Sequence, residues 1–428
     1  MHIEEPPPFD SKAVLLLGDE LSGHPLTQEA LARANDDYEY WQKFRRRPLP
    51  PTLNPADAWR LLKFYRKIKS VDLGVESLPT LHFVVTDSLL ERLHNLDNRL
   101  GGTVGFGEEF EGYKRTRYLK SALMEEAIAS SQLEGASTER TTAKAMLRRE
   151  RKPQTASERM IANNYAAMQF VVRTREQPIT ANYLLELHSI ATENTLDDPA
   201  WEGAFRIGGN QVINRETQEV VHIAPAVHAL PRLIDDICAF AQAHRSRPFV
   251  HPLVRAAVLH FLVGYVHPFE DGNGRTARAL MYAFMLRQGY WLTEFLVISK
   301  AIAQSRVGYD RAYLYTEHDQ LDATYFLHHQ LKAMQAAIKQ FESYLERKIR
   351  REREARELML SDGINPRQVQ ILAQVRQNPR RVFTVQGHAA DLEVTLPTAR
   401  GDLEDLVNRG RLRRARPGRQ VLYSAPTQ

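Results

Sequence analysis

Over most of the chain, apolar residues return every three or four positions, the spacing of helices that bury one face. From Thr27 the run to Phe44 has a capping residue and no breaker, which predicts one helix interrupted by Pro48, Pro50 and Pro51. A second helix is expected over Asn54–Ile68, where Trp59, Leu62 and Tyr65 are spaced by three, and a third over Asp87–Leu100, closed by Gly101 and Gly102. Residues 1 to about 25 read as irregular. Arg117–Thr138 reads as one helix stopped by Gly135, with Leu119, Leu123 and Ala127 as its apolar stripe. Helical patterns follow from Thr138 to Arg151, from Ser157, from Ala181 and from Pro225 to Ala241. His251–Val266 is apolar nearly all round and predicts the central buried helix. From Leu321 one long helix starts apolar and becomes charged after Arg347, as a connector leaving a core should.

Two stretches break this rhythm. Trp201–Ala224 has Gly208-Gly209, β-branched residues and a turn-like Asn214–Thr217, which predicts a short hairpin. The tail from Pro366 carries three short helical patterns, then a basic hairpin with Pro417-Gly418 at its turn. Three helices and a two-stranded basic wing resemble a winged helix-turn-helix. The expected fold is mainly α, with a small C-terminal α+β unit.

The chemistry concentrates in HPFEDGNGRTAR, His267 to Arg278. His267 titrates near neutrality and can take a proton from a hydroxyl. Asp271 offers a hard carboxylate oxygen of the kind Mg²⁺ prefers. Gly272 and Gly274 permit φ > 0 and close backbone approach, so that successive N–H groups can form an anion nest. The helix start that follows adds a favourable dipole, and Arg275 and Arg278 share a face from which they can fork onto phosphate oxygens. A turn alone would need the glycines but not the histidine, the acid or both arginines. Upstream, Glu126, Ser130 and Glu134 recur every four residues on one helical face, a pattern whose usual meaning is a solvated stripe. His188 and His260 sit among apolar neighbours and read as structural. Tyr309 and Tyr313 fit an adenine wall or core aromatics equally well.

The stretch resembles the Fic (Fido) signature, His-Pro-Phe-x-Asp/Glu-Gly-Asn-Gly-Arg-x-x-Arg, at every fixed position. Ser130-x-x-x-Glu134-Gly135 matches that family's inhibitory motif, in the placement of the subclass that carries its inhibitor in cis. Gly203-Ala-Phe205-Arg206 matches the element before the family's β-hairpin flap, with Ala224-Pro225 where many members have a Pro-Pro pair. The resemblance covers about Arg117 to Lys348 and implies a protein adenylyltransferase, moving AMP from ATP to a Ser, Thr or Tyr hydroxyl of a target protein. It implies His267 as the base and Asp271 as the Mg²⁺ ligand. Glu270, Asp271, Gly272, Asn273, Gly274, Arg275, Arg278 and the flap positions Gln211, Val212, Ile213 and Asn214 would lie on the nucleotide, with Tyr309 against the adenine. Glu134 would pair with Arg278 and block productive seating of the γ-phosphate. The organisation expected is an N-terminal helical region over 1–115 packing on a Fic-type core over 116–348. That core includes the inhibitory helix 117–135 and a flap at about 206–223. A helical connector over 349–364 and a winged-helix-like domain over 365–428 complete it.

Composition changes this picture in three places. The net charge of +5 is uneven: Asn365–Gln428 holds 11 Lys and Arg against 5 Asp and Glu, so the basic character belongs to the tail. That keeps a second reading open, a nucleotide-responsive transcription regulator that binds DNA through its tail, although winged helices also dock proteins. The lone Cys238 excludes an intrachain disulfide framework and, with a polar N-terminus and no long apolar run, points to a cytoplasmic protein without a membrane span. Self-modification and a homodimer stay open.

Overall fold

The computed structural model describes residues 3–15, 22–101, 113–213, 218–243, 248–392, 394–416 and 421–426. It divides into two compact units, Met1–Phe341 and Glu342–Gln428. Among the described residues no helix is long and apolar enough to cross a membrane.

The first unit is built on helices α1 (Ser11–Leu15), α2 (Pro25–Asp36), α3 (Trp41–Phe44), α4 (Pro55–Ile68) and α5 (Asp87–Leu100). They are followed by α6 (Tyr113–Leu133), α7 (Arg140–Arg148), α8 (Ala156–Arg173) and α9 (Ala181–Thr192). Then come α10 (Leu230–Gln242), α11 (Pro252–Val266), α12 (Asn273–Arg287), α13 (Ile298–Gln304), α14 (Arg306–His318) and the long α15 (Thr324–Asp362), of which this unit includes the part up to Phe341. Caps explain many of the boundaries: Asn54, Thr86, Thr155 and Thr180 each accept a backbone N–H of the first turn they precede. Helix α11 is buried on every side, as its all-round apolar sequence requires, and α12 packs along it. Helix α6 packs on α8 and α13, and brings the Ser130 region to the same place.

The run expected as one helix from Thr27 to Phe44 is instead two, α2 and α3. Tyr38 adopts a left-handed φ of 48°, and its hydroxyl is drawn to Asp322 at 2.6 Å. That break belongs to a buried polar junction. Lys63 of α4 bonds Asp319 at 2.8 Å, and Arg66 reaches Tyr325 and the Ala34 and Glu39 carbonyls. Around it Trp59, Phe44 and Leu62 pack with Leu314 and Tyr325. The N-terminal helices thus fix α14 and the start of α15. Two small hairpins complete the unit: β1 (Ser70–Asp72) with β2 (His82–Val84), and β3 (Gln211–Ile213) with β4 (Val220–Ile223). The first was not anticipated; the second is the expected hairpin, and its turn, with Asn214, lies outside the described residues.

The second unit has α16 (Pro366–Gln377), β5 (Val382–Phe383), α17 (Val385–Leu392), α18 (Leu396–Asn408), β6 (Arg413–Ala415) and β7 (Leu422–Ser424). The sheet order is β5-β7-β6, so a strand between the first two helices joins the two C-terminal strands. That third strand was not expected. The Pro417-Gly418 turn is outside the described residues. Ile371, Leu403, Leu406, Leu412 and Tyr423 form the core, and a capping box at Asn365 and Gln368 starts α16.

Candidate active site

Helix α11 ends at His267, whose φ of 49° is left-handed and uncommon for a non-glycine residue. The His267 N–H still reaches the Val263 carbonyl at 3.0 Å. Nδ1 lies 3.2 Å from the Gly264 carbonyl, and because a carbonyl only accepts, the proton of a neutral ring sits on Nδ1. Nε2 is left as the basic nitrogen. Burial, only partly offset by the carbonyl and by Glu134, holds the ring below the ordinary histidine value, so it is neutral at pH 7.

A helix C-terminus followed by an irregular loop leaves carbonyls without partners. Here each one from 265 to 271 receives a donor. His222 Nε2 faces Tyr265 O at 2.7 Å. Arg206 spans Val266 O at 3.4 Å and His267 O at 2.8 Å, and its own N–H bonds Pro268 O at 2.9 Å. Asn210 donates to Phe269 O and Glu270 O at 3.1 and 3.2 Å. His188 Nε2 donates to Asp271 O at 2.8 Å, and its tautomer is fixed because Nδ1 accepts from the Gly203 N–H at 3.1 Å. The His188 ring stacks on Phe269 at 3.8 Å, and burial holds it down to about 4, so it stays neutral. His188 is therefore a brace for the loop, a more specific part than the core residue its sequence suggested.

The loop turns into α12 at Gly272, where φ is 81° and a Cβ would strike Thr192 and His188. Gly274 differs from the expectation of φ > 0: it lies inside α12, and it must lack a Cβ for another reason. A Cβ there would overlap the Glu134 carboxylate, whose Cδ would be only 2.8 Å away. Asn273 also departs from its expected part. Its amide is engaged with Phe269, accepting from N at 3.0 Å and donating to O at 2.8 Å, and only its N–H remains for a ligand. The first turn of α12 thus presents free N–H groups beside Asp271.

Both arginines are buried. Arg275 bonds the Ala191 carbonyl at 2.5 Å and lies 3.9 Å from Asp271, while its Nε finds no acceptor among the described residues. Arg278 is held by Ser130, through Oγ at 2.8 Å and the carbonyl at 3.0 Å, and by Glu134 at 2.9 Å. Ser130 O is available because α6 tightens at its end: the Glu134 N–H turns to Ser131 O, and Gly135 leaves with φ 98°. Burial raises the Glu134 carboxyl, but the Arg278 guanidinium outweighs it and holds the group below its ordinary value. Arg306 of α14 grips the Leu133 carbonyl at 2.7 Å. Glu126, two turns back, is buried and accepts from the Ser299 N–H at 3.0 Å and from its hydroxyl. The stripe of Glu126, Ser130 and Glu134 is thus a buried docking edge, not a solvated face.

Of the remaining expected residues, Gln211 and Ile213 are exposed on β3 and Val212 is half-buried. Asn210 ties the start of that strand to Phe269 and Glu270. Tyr309 is buried, hydrogen-bonded to His260 at 2.9 Å, and feels the charges of Arg278 and Glu134. It is at once a core aromatic, against Phe326, and a neighbour of the arginine.

Asp271 points outward, with its side chain 71% exposed, and one oxygen accepts the Gly272 N–H at 2.6 Å. Among the described residues no cluster of three or more His, Cys, Asp or Glu could hold a metal alone. One exposed carboxylate beside an anion cradle does fit a divalent cation that arrives on phosphates.

The helical fold sets a neutral histidine beside the N-terminus of a buried helix, a pairing whose chemistry suits an anionic group. Residues 178–285 match the Fic/DOC family. Over 130 residues it is 35% identical to a protein adenylyltransferase Fic of Culex quinquefasciatus, covering 29% of this chain and 24% of that protein. A protein of the same name from Nematostella vectensis is 38% identical over 78 residues, 18% of each chain. The chain thus spans about a quarter or less of the length of these curated relatives. A Fic family protein of Desulfovibrio desulfuricans G20 has the same fold at a TM-score of 0.53 and 19% identity, covering 81% of this chain and 98% of that one. Fic-1 of C. elegans matches at a TM-score of 0.50 and 19% identity, over 75% and 85% of the two chains.

Proposed function

We propose that the protein transfers AMP from ATP to a hydroxyl side chain of a target protein, and that Glu134 holds this activity down. The observation that carries the reading is the placement of Glu134: its carboxylate lies over Gly274 and on Arg278, where a nucleotide phosphate would bring its own negative charge. The α12 N-terminus and Gly272 receive the phosphates, and Arg275 and Arg278 offset their charge. Asp271 would hold a Mg²⁺ that accompanies the nucleotide, which would supply neutralisation of phosphate charge. His267 Nε2 takes the proton from the target hydroxyl as that oxygen attacks the α-phosphorus and pyrophosphate leaves. The ring of donors on carbonyls 265–271 fixes the histidine and the cradle relative to each other, so that positioning and electrostatics supply most of the rate. Strand β3 offers its outer edge to an extended target segment. The protein adenylyltransferases among its relatives support this reaction over hydrolysis or phosphate transfer.

The second unit supports a further role. Its order of helix, strand, two helices and two strands supports reading it as a winged helix, and β6 is exposed along Arg413–Ala415. Binding of the full chain to duplex DNA in a gel shift would test it, with loss on raising salt expected. For the main reading, the Glu134→Gly protein is incubated with Mg·ATP and a cell lysate. Proteins that gain an AMP mass, and none with His267→Ala added, are the expected result; no modified protein with active-site residues intact would overturn it.

A further inference from the structure

Both ring nitrogens of His222, on strand β4, face acceptors. Nδ1 is 2.7 Å from a Glu317 carboxylate oxygen of α14, and Nε2 is 2.7 Å from the Tyr265 carbonyl in the last turn of α11. A neutral imidazole has one N–H, and a peptide carbonyl never donates. The pair therefore holds one proton more than a neutral ring beside a carboxylate. Turning the ring over would put carbons against both oxygens. The side chain is 8% exposed, so water is a poor substitute for either partner.

We propose that this proton ties the flap to the helix that delivers His267, making His222 a positioning residue whose hold on β4 falls from two hydrogen bonds to one when it deprotonates. The groups facing it are Glu317, which favours the charge, and Arg206, which opposes it; the His267 ring, held neutral, feels the His222 charge, and the Tyr265 ring lies 5.2 Å away. Burial pushes the ring down, the Glu317 carboxylate more than offsets this, and the balance lies above the ordinary value. The sign follows. A raised value means that both bonds are in place below about pH 6.5 and that one is lost as pH rises through the folded value. Asn210 and Arg206 hold the base of the flap by bonds that do not titrate in this range. Only the β4 side is loosened, and β3 follows through the pairing of Val212 with His222.

The consequence for target binding rests on the proposed transfer reaction; the tie does not. It is tested on the full-length protein without nucleotide or target, by ¹⁵N NMR of the histidine rings and by hydrogen exchange of the β3 and β4 amides, from pH 5.5 to 8.5. Wild type, His222→Phe and Glu317→Gln are compared. The His222 signal, identified by its absence in His222→Phe, is expected to show both nitrogens protonated at pH 6. Flap amides, corrected for intrinsic rates, should exchange about tenfold faster above the transition. His222→Phe should exchange at the fast rate at every pH. Glu317→Gln keeps an acceptor without its charge, so it should be protected at the lowest pH and lose protection at a lower pH than wild type. One bare ring nitrogen at pH 6, or equal flap exchange in wild type and His222→Phe, overturns the proposal. Either result leaves the transfer reaction untouched, and failure of the transfer reaction leaves this test standing.

Discussion

Removing the Glu134 carboxylate is expected to raise the transfer rate by one to two orders of magnitude. The pair it makes with Arg278 is 2.9 Å long, with the arginine 2% and the glutamate 29% exposed. A charge-assisted hydrogen bond in such a setting contributes about 1.5–3 kcal/mol. If that bond must break before phosphates can take its place, its loss multiplies the productive state roughly 10- to 100-fold. The fold should tolerate the change, because Arg278 keeps both bonds to Ser130. The cost should fall below the roughly 3–5 kcal/mol typical of opening a fully buried pair. The assay compares initial rates of AMP labelling at saturating Mg·ATP for wild type, Glu134→Gly and Glu134→Gln. The glutamine keeps the shape and a weaker hydrogen bond, so its rate should fall between the other two. Equal rates in wild type and Glu134→Gly would refute the inhibitory assignment. Activation by glycine with none by glutamine would show that bulk over Gly274, rather than charge on Arg278, does the blocking.

Three further outcomes follow from the same geometry. Since burial lowers the His267 value below about 6.5, transfer should be on its plateau at pH 7 and fall as pH drops through that lowered value; an acid limb centred above pH 7 would contradict a neutral base. Asn273→Ala removes two bonds to the Phe269 backbone and should cost about 2 kcal/mol in urea unfolding, with transfer reduced; unchanged stability would show that the brace is idle. A chain ended before Pro366 should stay folded and bind ATP by calorimetry, because the first compact unit closes its core by Phe341; aggregation or lost binding would place the tail in the catalytic unit.

The helices were legible because each buries a periodic stripe, and α11 because it is apolar on every side. Strands of two or three residues, such as β5 and β1, carry no period long enough to read, and the break at Tyr38 depends on Asp322, far away in sequence. The signature located the site, since its unusual residues are contiguous. What escaped was the support around it. His188, Arg206, Asn210 and His222 act on backbone carbonyls 43 to 83 positions away, and a carbonyl leaves no mark in a sequence. The sequence suggests Gly274 as a nest glycine with φ > 0, whereas its missing Cβ makes room for the Glu134 carboxylate.

The central claim is that AMP, rather than phosphate, moves through His267. Glu134→Gly protein is given Mg·ATP labelled at the α-phosphorus or at the γ-phosphorus, with a lysate as acceptor. The account predicts protein-bound label from the α position alone, removed by His267→Ala. Label from the γ position, or α label that survives His267→Ala, would contradict it.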